Sequence, residues 1–170
     1  MHPKKERTFV AIKPDGIQRS LIGEVIKRFE RVGLKLVALK LVIPKAEQIK
    51  EHYKRLDEKI QNHLVNYMTS GPIVAMVLEG AHSVQLVRKL VGSTEPLNSD
   101  VGTIRGDFVL DSYVVADGDE RAVRNLIHAS GNLEEANEEI NHWFSSEELI
   151  NYRLVEEEVL YDVNLDGILE

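Results

Sequence analysis

The chain has 170 residues, of which 43% are hydrophobic and 29% charged, a composition typical of one soluble globular domain spanning residues 1–170. It contains no cysteine, which excludes disulfides and thiolate metal sites. No apolar run approaches the roughly 20 residues that cross a bilayer, and no apolar segment follows the charged start, so we expect a cytoplasmic protein without a membrane partner. The net charge of −7 argues against binding of nucleic acid through a basic face.

The first half of the chain alternates apolar runs with amphipathic stretches. Thr8–Ile12 predicts a buried strand, which ends at a turn in Lys13-Pro14-Asp15-Gly16. A helix over 20–31, stopped by Gly33, and a second strand over 34–43, placed in the centre of the sheet, come next. The same reasoning predicts helices at 46–56, 59–69 and 83–91 and a strand at 73–78.

A long connection rich in small and polar residues covers 92–107, and connections of this length are often functional. Within it, Gly102 and Gly106 lie on either side of Arg105, a pattern that lets the backbone approach a ligand. The segment 109–123 contains Asp117-Gly118 between residues of extended character, which predicts an extra hairpin. The order of elements favours an α+β, ferredoxin-like (split βαβ) sandwich with helices packed on a four-stranded antiparallel sheet.

His128 is the clearest candidate for a side chain with a chemical role. Apolar residues precede it, small residues follow it, and helical spacing resumes at Leu133, which predicts strand, tight turn and helix. A side chain at such a turn lies beside a helix N-terminus, where an anion is favoured. Imidazole chemistry alone leaves open a base, a ligand, a nucleophile or a structural hydrogen bond.

Several motifs, in this order, are those of a known family, and the chain resembles the nucleoside diphosphate kinases over about 7–153. The shared blocks are Ala-Ile-Lys-Pro-Asp-Gly at 11–16, Ile-Gly-Glu-Val-Ile-Lys-Arg-Phe-Glu at 22–30, Glu-His-Tyr at 51–53, Ser-Gly-Pro-Ile-Val-Ala-Met-Val at 70–77, Gly-Thr-Ile-Arg-Gly-Asp-Phe at 102–108 and Asn-Leu-Ile-His-Ala-Ser at 125–130. One block alone would be a weak signal, whereas six in sequence are specific.

The resemblance implies an enzyme that moves the terminal phosphate of a nucleoside triphosphate onto a histidine and then onto a nucleoside diphosphate. His128 would be that histidine, and Mg²⁺ would be held by the nucleotide and water rather than by protein ligands. The family also implies a homo-oligomer built on a dimer. The sequence leaves open which ring nitrogen attacks, and a relative that binds nucleotides without turning them over is the alternative.

The resemblance also implies roles for the residues around His128. Nucleotide binding is carried over to Lys13, Arg88, Thr94, Arg105 and Asn125, whose side chains supply charge or hydrogen bonds to phosphate and sugar. The guanidinium groups of Arg88 and Arg105 are expected to bind phosphate oxygens as bidentate forks. Tyr53 would lie beside the histidine, and Ser130 and Glu139 would support and orient its ring.

The chain departs from the family pattern at three places. The segment 59–62 has Ile60 where the family stacks aromatic side chains on the base, which predicts weaker stacking. Gly131 replaces the usual acidic residue, and Asn132 with Glu135 predicts a capping box that preserves the helix start. The third departure is the added segment 109–123.

Two sequence patterns resemble metal-binding motifs, but each lacks a feature that such a motif requires. Asp162-Val163-Asn164-Leu165-Asp166-Gly167 begins like a calcium loop, but the closing glutamate of that motif is missing. The histidine pairs 52 and 63, and 128 and 142, lack metal-binding spacing, which favours surface or capping roles for them.

Overall fold

The structure is a computed structural model that describes residues 4–162, 164 and 166. In this part of the chain, one antiparallel sheet has the strand order β2-β3-β1-β4. Its strands are β1 (Glu6–Ile12), β2 (Lys35–Val42), β3 (Ile73–Gly80) and β4 (Ile127–Ala129). The helices are α1 (Pro14–Gln18), α2 (Ile22–Glu30), α3 (Ala46–His52), α4 (Glu58–Met68), α5 (Ser83–Val91), α6 (Ile104–Phe108), α7 (Tyr113–Gly118), α8 (Leu133–Trp143) and α9 (Glu156–Tyr161).

Helices cover both faces of the sheet, because alternate residues of its two inner strands point to opposite sides. On β1, Val10 and Ile12 join a buried cluster with α2 and α5, whereas Phe9 and Ala11 join a second cluster with α3, α4 and α8. The predicted α+β sandwich with a four-stranded antiparallel sheet is therefore confirmed.

The prediction that the second strand is central was wrong, because β2 lies at the edge of the sheet. Its apolar run resembled a buried strand, but Leu39 and Leu41 are exposed. The outer edge of β2 is covered at its start, where the Ile150 N–H donates to the Val37 carbonyl over 3.0 Å. The sequence run 34–43 thus contains a buried half and an exposed half.

The predicted hairpin over 109–123 was also wrong, because Tyr113–Gly118 forms α7. The Ser112 hydroxyl caps this helix by accepting from the Val115 N–H over 3.3 Å. A bidentate pair between Arg121 and Asp111, with distances of 2.6 and 3.0 Å, closes the base of the segment. A two-stranded hairpin without a sheet to join would be marginal, whereas a capped turn of helix needs no strand partner.

The glycines that flank Arg105 meet needs of their own loop. A Cβ on Gly106 would lie 2.1 Å from the Asp100 carbonyl oxygen, so glycine allows two backbone segments to approach closely, and Gly102 has a φ of 93°, which favours glycine. The approach of this backbone to a ligand stays a prediction.

The helix α9 lies beyond the region of resemblance and is anchored by buried charges. Glu157 bridges Lys5 at 2.8 Å and Lys35 at 3.0 Å, and Lys35 also pairs with Glu79 at 2.7 Å. The calcium-like pattern after α9 falls partly outside the described residues, at 163, 165 and 167. In the described part, no helix is long and apolar enough to cross a membrane.

Candidate active site

His128 lies on β4, directly after a strained turn. The Ile127 N–H donates to the Asn125 carbonyl over 2.7 Å, and Leu126 between them has a φ of 68°, which a branched side chain rarely adopts. The strand that carries His128, β4, has only three residues and begins at Ile127. The turn delivers the His128 side chain to the sheet face that α8 covers.

Glu139 and Ser130 support one side of the His128 ring. Nε2 of His128 lies 3.0 and 3.1 Å from the two carboxylate oxygens of Glu139, and the Ser130 hydroxyl donates to Glu139 Oε2 over 2.6 Å. A carboxylate only accepts hydrogen bonds, so Nε2 carries the proton of the neutral ring and Nδ1 keeps its lone pair. Nδ1 is therefore the ring nitrogen that can accept a bond from a ligand.

Lys13 follows β1 and is held near His128 by the segment that precedes it. Its backbone N–H donates to the Leu126 carbonyl over 2.8 Å, and its Nζ donates to Asn125 Oδ1 over 2.7 Å. The Asn125 amide in turn donates to the Thr94 carbonyl over 2.9 Å. Burial and the neighbouring Arg105 guanidinium lower the pKa of Lys13 to about 7, so its charge responds to pH and to anions.

Arg105 differs from the expected phosphate fork. Four of its five N–H donors bind backbone carbonyls of Gly92, Ser93, Asn125 and Ile127 at 2.6–3.2 Å. One Nη2 proton remains for a ligand, so the expected bidentate contact is not formed by this conformer. Arg88 in the last turn of α5, by contrast, is exposed and has no hydrogen bond or ion pair within the described residues.

These groups line one cavity of about 530 Å³ with His128 in its wall. The sequence-predicted residues that share it are Lys13, Tyr53, Arg88, Thr94, Arg105 and Asn125. The Tyr53 hydroxyl is buried without a hydrogen-bond partner in the described part of the chain, which a ligand acceptor in the cavity would supply. Ser130 and Glu139 lie behind the ring, so all nine predicted site residues come together.

The far end of the cavity is less polar and is formed by α4 and the added segment. Ile60, Leu64 and Val123 provide apolar surface, and Ala116 and Asp117 of α7 complete the wall. The weaker stacking predicted from Ile60 stays a prediction, and α7 adds Tyr113 to the lining, an aromatic surface that the sequence did not suggest.

The start of α8 forms half of the predicted capping box. The Asn132 side chain accepts from the Glu135 N–H over 2.9 Å, but the Glu135 carboxylate accepts from the Gly131 N–H, also over 2.9 Å. A Cβ on residue 131 would lie 2.6 Å from that carboxylate. Glycine at position 131 therefore leaves the space that the Glu135 carboxylate occupies.

The sequence did not identify His52 as part of the site. The expected surface or capping role was wrong, because its side chain is only 2% exposed and its ring centroid lies 4.5 Å from that of His128. Among the described residues, His52, His128 and Glu139 are close enough to share a metal ion. A ring proton on His128 Nε2 that already faces Glu139 opposes such binding, since a metal must displace it.

A histidine with one unprotonated nitrogen in the wall of a cavity lined by Lys and Arg is an arrangement that suits transfer of a phosphoryl group. The family model described as nucleoside diphosphate kinase matches residues 6–149. The chain belongs to this family and is a nucleotide-binding kinase.

Relatives extend over nearly the whole chain. Nucleoside diphosphate kinase A of Canis lupus familiaris is 47% identical over 92% of this chain and 97% of its own. A relative from Archaeoglobus fulgidus is 46% identical over 92% of this chain and 98% of its own. The Borrelia burgdorferi enzyme, solved as a transition-state mimic with vanadate and ADP, has a TM-score of 0.87 and 41% identity, covering 91% of this chain and 95% of that chain.

Proposed function

We propose that this kinase works through a phosphohistidine on Nδ1 of His128. The Nδ1 lone pair attacks the terminal phosphorus of a nucleoside triphosphate, the bond to the bridging oxygen breaks, and its electron pair leaves with the nucleoside diphosphate. A second nucleoside diphosphate then takes the phosphoryl group by the reverse step. The observation that carries this proposal is the pair of contacts between His128 Nε2 and Glu139, which leaves Nδ1 free.

The cationic side chains bind the phosphates, with roles set by their surroundings. Lys13 lies in the wall beside His128 and supplies a point charge, and Arg88 offers a whole guanidinium because no group among the described residues engages it. Arg105 contributes one N–H and holds the loop around it. The Tyr53 hydroxyl donates to the bound nucleotide, which gives it the partner that it lacks.

Mg²⁺ fits this site as a cation that arrives with the nucleotide. The phosphate end of the cavity is lined by Lys13, Arg88 and Arg105, whose charges suit phosphate and not a metal ion. The ion, when bound, neutralises phosphate charge and orients the phosphate chain. Its protein neighbours then act only through the nucleotide.

Phosphate transfer from labelled ATP tests the mechanism directly. Incubation with γ-labelled ATP and Mg²⁺ is expected to give a protein-bound label that acid removes and alkali does not, and that passes to added GDP. A protein that binds ATP but never becomes labelled would support the alternative of a nucleotide-binding relative without turnover. Equal labelling of wild type and His128→Ala would show that another residue accepts the phosphate.

Nucleotide binding is expected to weaken as the pH rises through 7. The pKa of Lys13 is about 7 in the free protein, and bound phosphate favours the charged ammonium, so binding takes up a proton above that pH. We expect the KM for ATP to rise about tenfold between pH 6.5 and 8.5. Calorimetric titration of ADP in two buffers of different ionisation enthalpy measures the proton uptake.

The Lys13→Arg variant is the matched control, because a guanidinium stays charged over this range. Its KM is expected to be nearly independent of pH. An equally steep rise in this variant would assign the pH dependence to another group, such as the phosphate itself.

We also propose that the kinase is a cytoplasmic homo-oligomer built on a dimer. The exposed end of β2, with Leu39, Leu41 and Ile43, presents an apolar sheet edge that a second copy can cover. Light scattering is expected to give at least twice the mass of one chain for the wild type. The substitution Leu41→Glu should lower this measured mass. A wild type that is monomeric at micromolar concentration would refute the dimer. Fractionation of cells that produce the protein tests the location.

A further inference from the structure

The Glu139 carboxylate has a third neighbour besides His128 and Ser130. His52, the last residue of α3, places Nε2 at 3.6 Å from Glu139 Oε1, and its side chain is almost fully buried. Two imidazoles from different elements therefore flank one carboxylate. The distance is longer than a hydrogen bond, so in this state the contact is electrostatic.

Trp143 fixes which nitrogen of His52 carries the proton. The indole N–H can only donate, and Trp143 Nε1 lies 3.1 Å from His52 Nδ1. Nδ1 must therefore accept, which leaves the single proton of the neutral ring on Nε2, facing Glu139. The sequence of contacts runs from Trp143 through His52 and Glu139 to His128.

The surroundings of His52 keep its ring neutral. Burial lowers its pKa well below the usual value, and the groups that lower it further are His128, His142 and Lys13. Because the ring stays uncharged, it offers Glu139 a proton without adding a second positive charge beside the carboxylate. The negative charge of Glu139 then remains available to His128 Nε2–H.

We propose that His52 is a positioning residue for phosphate transfer, whose Nε2–H holds the Glu139 carboxylate in the orientation that directs His128 Nδ1 into the cavity. This proposal rests on the phosphohistidine mechanism. Glutamate has three rotatable side-chain bonds, and Ser130 restrains only Oε2. The Nε2–H of His52 attracts Oε1 from 3.6 Å, so each carboxylate oxygen that faces the His128 ring has a second neighbour.

Two substitutions separate this role from a structural one. Asn at position 52 places an acceptor where Nδ1 lies and keeps the Trp143 contact, but loses the donor to Glu139. Gln at position 52 places a donor where Nε2 lies and keeps the Glu139 contact, but loses the acceptor for Trp143. A structural role through Trp143 predicts that Asn is the milder change.

The positioning role predicts the opposite order. We expect His52→Asn to lower kcat roughly five- to tenfold with the KM for ATP within about twofold of wild type, and His52→Gln to keep kcat within about twofold. A kcat for His52→Asn equal to wild type, or a larger loss in His52→Gln, would overturn the proposal. Single-turnover phosphorylation of His128 should slow by the same factor as kcat.

A measurement on the wild type covers the case in which a variant does not fold. ¹⁵N NMR of labelled histidine is expected to show His52 neutral, protonated on Nε2 and unprotonated on Nδ1, from pH 8 to pH 6. The opposite tautomer, or a charged ring, would contradict the proposal. Failure of the phosphohistidine mechanism is distinguishable, because it would appear as absence of label on His128 in the wild type, where His52 is intact.

Discussion

Replacing His128 with asparagine is expected to lower kcat by a factor on the order of 10⁴ or more. An amide nitrogen cannot take the place of the Nδ1 lone pair. The shorter asparagine also loses the Nε2 donor to Glu139, but the Ser130 hydroxyl still donates to that carboxylate, so the fold around α8 should be kept. Lys13, Arg88 and Tyr53 do not depend on the imidazole for their positions, and ADP affinity should stay within about threefold of wild type. Steady-state kinetics and calorimetric titration measure the two effects separately.

His82→Asn is the control for this substitution. His82 precedes α5 with a φ of 54°, a conformation that asparagine adopts readily, and it does not line the cavity. Its kcat should equal that of wild type. If His128→Asn retained a tenth of wild-type kcat, the reaction would have to run by direct transfer between nucleotides.

Arg105→Lys is expected to lower stability as well as activity. A lysine ammonium has three N–H donors, so it cannot serve all four carbonyls that the guanidinium binds, and at least one of these contacts would be lost. We expect a loss of about 3 kcal/mol in the free energy of unfolding, which corresponds to a fall in Tm of roughly 6–12 °C. Urea unfolding and a thermal scan without nucleotide measure it.

Arg88→Lys provides the comparison, because Arg88 lines the same cavity but is bound to no protein group in the described part. Its stability should be unchanged, whereas its KM for ATP should rise. Equal destabilisation by both substitutions would mean that the carbonyl contacts of Arg105 contribute little to the fold.

The sequence predicted the sheet, its helices and the cluster around His128 well, because hydrophobic spacing and ordered motifs encode them. It could not predict that β2 lies at the edge, since the apolar residues of an edge strand covered on one side resemble those of a central one. Asp117-Gly118 suggested a hairpin because a turn dipeptide is a local signal, whereas the Ser112 cap and the Arg121–Asp111 pair decide for a helix.

Within the site, residue types were easier to predict than their partners. Arginine at position 105 suggested bidentate binding of a phosphate. The backbone carbonyls that accept hydrogen bonds from its guanidinium come from distant segments and have no sequence signature. The sequence showed His52 only as part of a motif. Its contacts with Glu139 and Trp143 join residues that lie about ninety positions apart along the chain. Long-range contacts of this kind are set by packing.

The three residues before His128 have every backbone carbonyl engaged. The carbonyl of Asn125 accepts from Arg105 and Ile127, that of Leu126 from Lys13, and that of Ile127 from Arg105. This part of the cavity wall is therefore fixed by the fold, because each of the three carbonyls before His128 already has a donor. The position of the His128 ring does not have to be organised by the nucleotide when it binds.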